Sequence, residues 1–276
     1  MWLLAALTTA VCFGINNTIF KWSSTRHLSK VNIQFFFYVS AFLITLLYGI
    51  YTDELHPTLI SLPLGALIGI LNANGNIQMS SAFEKGPASL TSALIAANSI
   101  FPVLSAGFIF HEQIRPVHWA GISIMMLAVI VIQYKPGSKE NTHYGPWLLR
   151  VMLAVLSFGI LGILMKTSSY LHIHPLDVLV TMYGGGSLFL AMRLSKKAMK
   201  IKEAKIGSFV GLLSVMGFSC YLYALKSGVA SIVFPVISLN CLIVILAGYF
   251  IFKERLKYYQ VVGIFAALVG LVLTKL

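Results

Sequence analysis

Asn98 and Asn240 each stand in a long apolar stretch, and the residues around one repeat those around the other. A carboxamide offers two donors and two acceptor lone pairs without a charge. The pair therefore suits holding a zwitterion, an alcohol or an amide, not breaking a bond in it. More groups of this kind fall at helical spacing. Gly65, Gly69, Asn72, Asn76 and Ser80 share one face, and Gly207, Gly211, Ser214, Phe218 and Tyr221 share another. Thr91, Asn98 and Ser105 recur at heptad spacing, Gln34, Tyr38, Thr45 and Tyr48 lie together on a further stretch, and Tyr183 is the repeat partner of Tyr38. The expected substrate site is Asn98, Asn240, Asn72, Asn76, Asn16, Tyr38, Tyr183 and Ser214, with Asn17 beside Asn16. The alternative for each is helix glue, worth about 0.6 kcal/mol per hydrogen bond in a membrane.

Bond-breaking chemistry has no comparable signal. There is no HExxH, no GxSxG and no GxxxxGK[ST]. The seven histidines fall in predicted loops or at helix ends, without a carboxylate-linked metal set. The expectation is no enzyme, no cofactor and no metal. Glu84, Glu112, Asp177 and Glu254 fall at predicted helix ends, which disfavours a cation antiporter built around a mid-membrane carboxylate. Glu112 and Glu254 are expected to cap helices or pair with Arg115 and Arg255, and Lys21 and Lys166 to snorkel to the interface. Gly184-Gly185-Gly186 would either bend a helix or let another pack closely on it.

These groups need apolar helices to position them. The chain of 276 residues is 58% hydrophobic and 10% charged, with mean hydropathy +0.86, which places it among polytopic membrane proteins. A bilayer core of roughly 30 Å needs about 20 apolar residues per helix. Ten stretches qualify: 2–22, 32–51, 59–83, 88–110, 116–134, 146–170, 175–194, 206–226, 229–252 and 258–275. The first lacks a basic flank and is too long for a signal peptide, so it is expected to remain as a helix. Cys12, Cys220 and Cys241 lie inside apolar stretches and read as small buried hydrophobes.

Trp2-Leu3-Leu4, Phe13-Gly14-Ile15, Lys21 and Ser23-Ser24 return as Trp147-Leu148-Leu149, Phe158-Gly159-Ile160, Lys166 and Ser168-Ser169. Ala82 to Ser89 returns as Ala224 to Ser231, Phe108-Ile109-Phe110 as Phe250-Ile251-Phe252, Glu112 as Glu254 and Gly121 as Gly263. Five helices per copy is an odd number, so the copies would insert upside down relative to each other. The expected units are residues 1–135 and 145–276, divided by the turn-rich stretch from Lys135 to Pro146.

The net charge of +12 has its clearest cluster at Arg193, Lys196, Lys197, Lys200, Lys202 and Lys205. Beside a membrane span it reads as an anchor to anionic lipid headgroups near Lys196 to Lys205, not as a nucleic-acid surface. Among the 20 Lys and Arg, only Arg115, Lys166, Lys226 and Lys275 fall on the face opposite to the rest. The positive-inside rule then puts both termini outside the cytoplasm.

Ala88-Ser-Leu-Thr, Pro102, Phe110-His-Glu112 and Gly121, with the second copy Ala230-Ser231, Glu254 and Gly263, resemble the drug/metabolite transporter superfamily. Within it the chain is most similar to the ten-helix branch built from two EamA domains. The sequence departs from that pattern in three ways. Val244 replaces a proline of the second copy, Gln34 sits where a basic residue is common, and the charge bias opposes the cytoplasmic termini of most relatives. The resemblance implies an all-α membrane protein of two inverted five-helix repeats, located in the cell membrane (the inner membrane in a bacterium). It also implies a secondary transporter, an exporter of a small polar metabolite such as an amino acid. Rival readings are a passive facilitator on the same scaffold, and a membrane scaffold or lipid-binding protein that transports nothing. Helices five and ten carry Gly121-x-x-x-Met125 and Gly263-x-x-x-Ala267-x-x-Gly270, spaced for close helix contact within or between chains.

Overall fold

A computed structural model of the chain describes residues 1–26, 28–85, 95, 97–133, 144–194, 200–250 and 257–273. They form helices α1 (Trp2–Thr25), α2 (Lys30–Thr52), α3 (Ser61–Lys85), α4 (Ile100–Phe108), α5 (Pro116–Gln133), α6 (Tyr144–Tyr170) and α7 (Pro175–Ala191). The rest are α8 (Ile201–Ser227), α9 (Ala230–Ser238), α10 (Asn240–Phe250) and α11 (Tyr258–Leu273), and a 3-10 turn at Ala97–Ser99 precedes α4. The turn-rich stretch between the copies falls mostly outside the described residues, as do Ser89, Thr91, Lys196, Lys197 and Glu254. Trp2–Ser23, Lys30–Thr52, Gly145–Tyr170 and Ile201–Ser227 are long and apolar enough to cross a membrane, and four shorter apolar helices accompany them. Exposed apolar residues such as Leu47, Leu104, Leu188, Phe209 and Phe265 give the outer surface the character of lipid-facing helices.

The described helices pack mainly between the halves of the chain, and the pairings come in twins. α3 packs on α6 and α7, as α8 packs on α1 and α2. α2 meets its counterpart α7, α5 meets α11, and α4 meets α9. Repeat-equivalent glycines make these approaches. A Cβ at Gly69 would overlap the Met182 carbonyl of α7, and one at the matching Gly211 would stand 2.8 Å from the Phe37 carbonyl of α2. Phe158 lies over Gly75, with ring carbons 2.6 Å from where a Cβ would be, and its equivalent Phe13 lies over Gly217 at 3.0 Å. Small residues are needed because apolar burial gives helices no advantage over lipid, so close van der Waals packing must hold them.

Polar contacts reinforce the same interfaces. The Thr9 hydroxyl donates to the Gly217 carbonyl at 3.0 Å, joining α1 to α8. Between α6 and α3, Arg150 donates to Gln78 at 2.7 Å, Gln78 to Asn74 at 3.2 Å, and Asn74 to Ser157 at 3.0 Å. Glu203 at the start of α8 accepts from the Ser29 amide and the Asn32 carboxamide, both at 2.9 Å, joining α8 to α2.

Two expectations change. The ninth stretch is not one helix: it divides at Leu239 into α9 and α10, and the described part of the fourth divides into a 3-10 turn and α4. Asn98 and Asn240 therefore sit at breaks, not mid-helix. Each turns its amide back on a carbonyl three residues earlier, Ile95 at 2.6 Å and Ile237 at 3.0 Å, so the side chain competes with the helix ladder. Pro102 adds to the first break by removing a backbone donor. α7 runs as one helix through the three glycines. They admit the Phe42 ring, the Ala66 backbone and the Tyr38 ring.

The glycine contacts generate a test. Gly69→Ala and Gly211→Ala should each lower stability by about 1–3 kcal/mol, read as a fall in the melting temperature in detergent. Gly145→Ala, where a Cβ meets nothing within 4 Å, should leave it unchanged.

Candidate functional site

Near the middle of α2 and α7, Tyr38 and Tyr183 meet edge to face with ring centroids 5.9 Å apart, and both are fully buried. The Tyr38 hydroxyl donates to the Gly69 carbonyl at 3.3 Å and faces Asn72. The Tyr183 hydroxyl faces Ser214 but has no hydrogen-bond partner among the described residues. Each tyrosine thus looks at the third helix of its own half, at positions the repeat makes equivalent.

From this pair outward the two halves differ. Asn72 and Asn76 on α3 are buried, at 7% and 8% exposure. Asn16 on α1 and Gln34 on α2 each bury a carboxamide oxygen without a partner among the described residues. On the α8 side the neighbours are rings. Phe218, the counterpart of Asn76, lies 6.3 Å from Tyr183 and 4.8 Å from Phe13. Tyr221 lies 6.1 Å from Phe218 and 6.1 Å from Phe234 of α9. Amides on the α3 side and aromatic faces on the α8 side can hold a small molecule with a neutral polar head and an apolar body.

Of the predicted site, Tyr38, Tyr183, Asn72 and Ser214 come together. Asn76 lies one turn further along α3, and Asn16 is on α1, which packs on α8. Asn98 and Asn240 are partly buried at the two helix breaks. The Asn240 oxygen accepts from the Asn17 amide at 3.4 Å, across α1 and α10. Sequence reasoning placed Gln34 and Phe218 on the polar faces but left them out of the expected site, and it did not single out Phe13 and Phe37. Gln34 was visible as an uncharged polar residue in an apolar run; the rings looked like any other packing residue. A separate lateral groove of about 310 Å³ lies between α2, α7 and α8, lined by residues including Thr45, Tyr48, Leu179 and Ser219. Among the described residues no group of His, Cys, Asp or Glu is placed to hold a metal ion.

Glu112 caps a helix as expected, accepting from the Ala230 and Ser231 amides that open α9, but its ion-pair partner differs. Glu112, in the turn between α4 and α5, pairs with Lys166 at 2.8 Å and not with Arg115. Lys166 is accordingly not free to snorkel, because the turn after α4 brings the carboxylate onto it. Burial pushes the Glu112 carboxyl up. Hydrogen bonds from Lys166 and from the Ser231 hydroxyl and amide, with the Lys166 charge, outweigh burial and hold it below the ordinary carboxylate value.

The model of the EamA-like transporter family matches the chain twice, over residues 1–134 and 145–276. No curated protein matches the sequence. Among solved structures, a chain titled only "Crystal structure of protein" superposes with a TM-score of 0.82 at 12% identity, covering 99% of this chain and 95% of that one. That likeness concerns the fold alone.

Two predictions follow from the geometry. Tyr38→Phe should cost about 0.5–1.5 kcal/mol through its lost hydrogen bond. Tyr183→Phe, which removes a buried hydroxyl without a partner, should leave the melting temperature unchanged or raise it. The second concerns acid. The folded-state pKa of Glu112 lies below its unfolded value, so its ionised form stabilises the fold above the ordinary carboxylate range. That contribution fades as pH falls through the lowered folded value. The stability gap between wild type and Glu112→Gln should therefore shrink on acidification, as followed by thermal melts across a pH series.

Proposed function

The chain belongs to the EamA-like transporter family, and we propose that it moves a small polar metabolite with an apolar body, such as an amino acid, out of the cell by alternating access. In this reading residues 1–135 and 145–276 are two five-helix repeats inserted with opposite topology. One rocks against the other around a site near the bilayer midplane. The cell membrane is its proposed location, with the basic residues near Lys196 to Lys205 against anionic headgroups.

The observation that carries the reading is the tyrosine pair with its unequal surroundings. Tyr38 and Tyr183 meet where the two halves cross, with the α3 amides of Asn72 and Asn76 on the Tyr38 side and the rings of Phe218, Phe13 and Tyr221 on the Tyr183 side. Polar groups buried in a membrane are costly unless used. A site built only to join helices would have partners for the Tyr183 hydroxyl and the Asn16 and Gln34 oxygens, and these have none among the described residues. Asn98 and Asn240 are proposed to act at the helix breaks, where freed backbone groups can turn toward a solute.

Counterflow into proteoliposomes preloaded with single metabolites tests the proposal. A panel of amino acids, sugar phosphates, nucleotide sugars and organic cations should contain a compound whose uptake is saturable and trans-stimulated. Tyr183→Phe and Asn72→Ala should each cut that uptake about tenfold, the loss expected for about 1.4 kcal/mol of binding energy. Uptake without saturation or trans-stimulation would favour the passive facilitator. No uptake of any compound by the folded protein would favour the scaffold.

A further inference from the structure

Glu112 spends both carboxylate oxygens on the second half of the chain. Oε1 accepts from the Lys166 ammonium at 2.8 Å and from the Ala230 amide at 3.1 Å. Oε2 accepts from the Ser231 amide at 3.1 Å and the Ser231 hydroxyl at 2.6 Å. Ala230 and Ser231 open α9, so the carboxylate meets unsatisfied amides at the positive end of a helix dipole. The Lys166 ammonium also stands 5.8 Å over the Phe110 ring, which packs on Tyr170 at 5.4 Å. His111 adopts φ 52°, a left-handed conformation that turns the chain after α4. One turn of the first half thus clasps the end of α6 and the start of α9. From that clasp α9 runs against α1, α4 and α5 to the break at Leu239.

The choice of groups argues for a contact that opens. The side chains of Lys166 and Glu112 keep only 13% and 15% exposure, and a buried ion pair holds structure no better than apolar packing of the same volume. A permanent joint would do as well with leucine. Two charges that meet in one conformation and return to water in another favour the first without locking it. The sequence repeats the trio as Lys21, Ser89 and Glu254, of which Ser89 and Glu254 lie outside the described residues.

We propose that Glu112, Lys166 and the Ala230–Ser231 end of α9 form an ionic latch that holds one membrane face of the transporter shut in this conformation and releases once per cycle. The latch rests on the alternating-access reading above. It assigns Glu112 and Lys166 to access, with no contact to the transported molecule.

The test is electron paramagnetic resonance on the full chain in proteoliposomes. One label pair brackets the latch at the exposed positions Ile109 and Leu171. A second pair, at Arg26 and Lys257, reports the opposite face. Glu112→Gln and Lys166→Met are compared with wild type, and monodispersity confirms folding of each. Both variants should raise the population of the longer latch distance about tenfold relative to the shorter, while the opposite pair moves closer. If Lys166→Met leaves both distances unchanged, Glu112 is only a helix cap and the latch is overturned. Alternating access would survive that result, because counterflow tests it independently. Widening at the latch with no movement opposite would also overturn the proposal, and would count against alternating access as well.

Discussion

The fold depends on how closely two pairs of helices can approach. α3 does not bury itself within its own half; it enters the other half, with its glycines against the backbone of α7, and α8 does the same against α2. In lipid such contacts must be tight to hold, because apolar surface gains nothing by leaving one hydrocarbon environment for another. Everything central follows from that exchange. It brings the middles of α2 and α7 together, sets Tyr38 against Tyr183 and places the α3 amides beside one tyrosine and the α8 rings beside the other.

The scaffold is nearly symmetric, while its lining is not. Gly69 and Gly211 perform the same packing task, and so do the rings of Phe158 and Phe13. Yet Asn76 corresponds to Phe218, and the chain of hydrogen bonds from Arg150 through Gln78 and Asn74 to Ser157 corresponds to positions held by Ala5, Cys220, Met216 and Cys12. Packing positions are constrained to match by the repeated backbone. Lining positions are not, and their divergence can give a symmetric frame a site with a polar side and an apolar one. A molecule bound there would have its own ends told apart.

The repeat, the helical class and the small-residue faces were legible in the sequence, because glycine spacing and hydropathy are local patterns. Tyr38 and Tyr183 were legible as repeat partners, and Asn72 and Ser214 as equivalent positions. The helix breaks were not. Asn98 and Asn240 read as mid-helix polar residues, and nothing in the apolar run showed that a carboxamide would fold back on its own carbonyl. The pairing of Glu112 with Lys166 was hidden for another reason: the partners are far apart in sequence and Arg115 is near. The run Gly184 to Gly186 permitted either a bend or a close contact, and the neighbours Phe42, Ala66 and Tyr38, invisible in the sequence, supply the close contact.

The central claim is that the two-sided core around the tyrosines binds the transported molecule. Thermal shift of the purified protein against a metabolite panel measures this directly, with wild type beside Asn72→Ala/Asn76→Ala. A ligand at about 100 times its dissociation constant should add about 2.7 kcal/mol of stability to wild type, and the double variant should lose most of that gain. An equal gain in both proteins would put the binding site elsewhere and contradict the account.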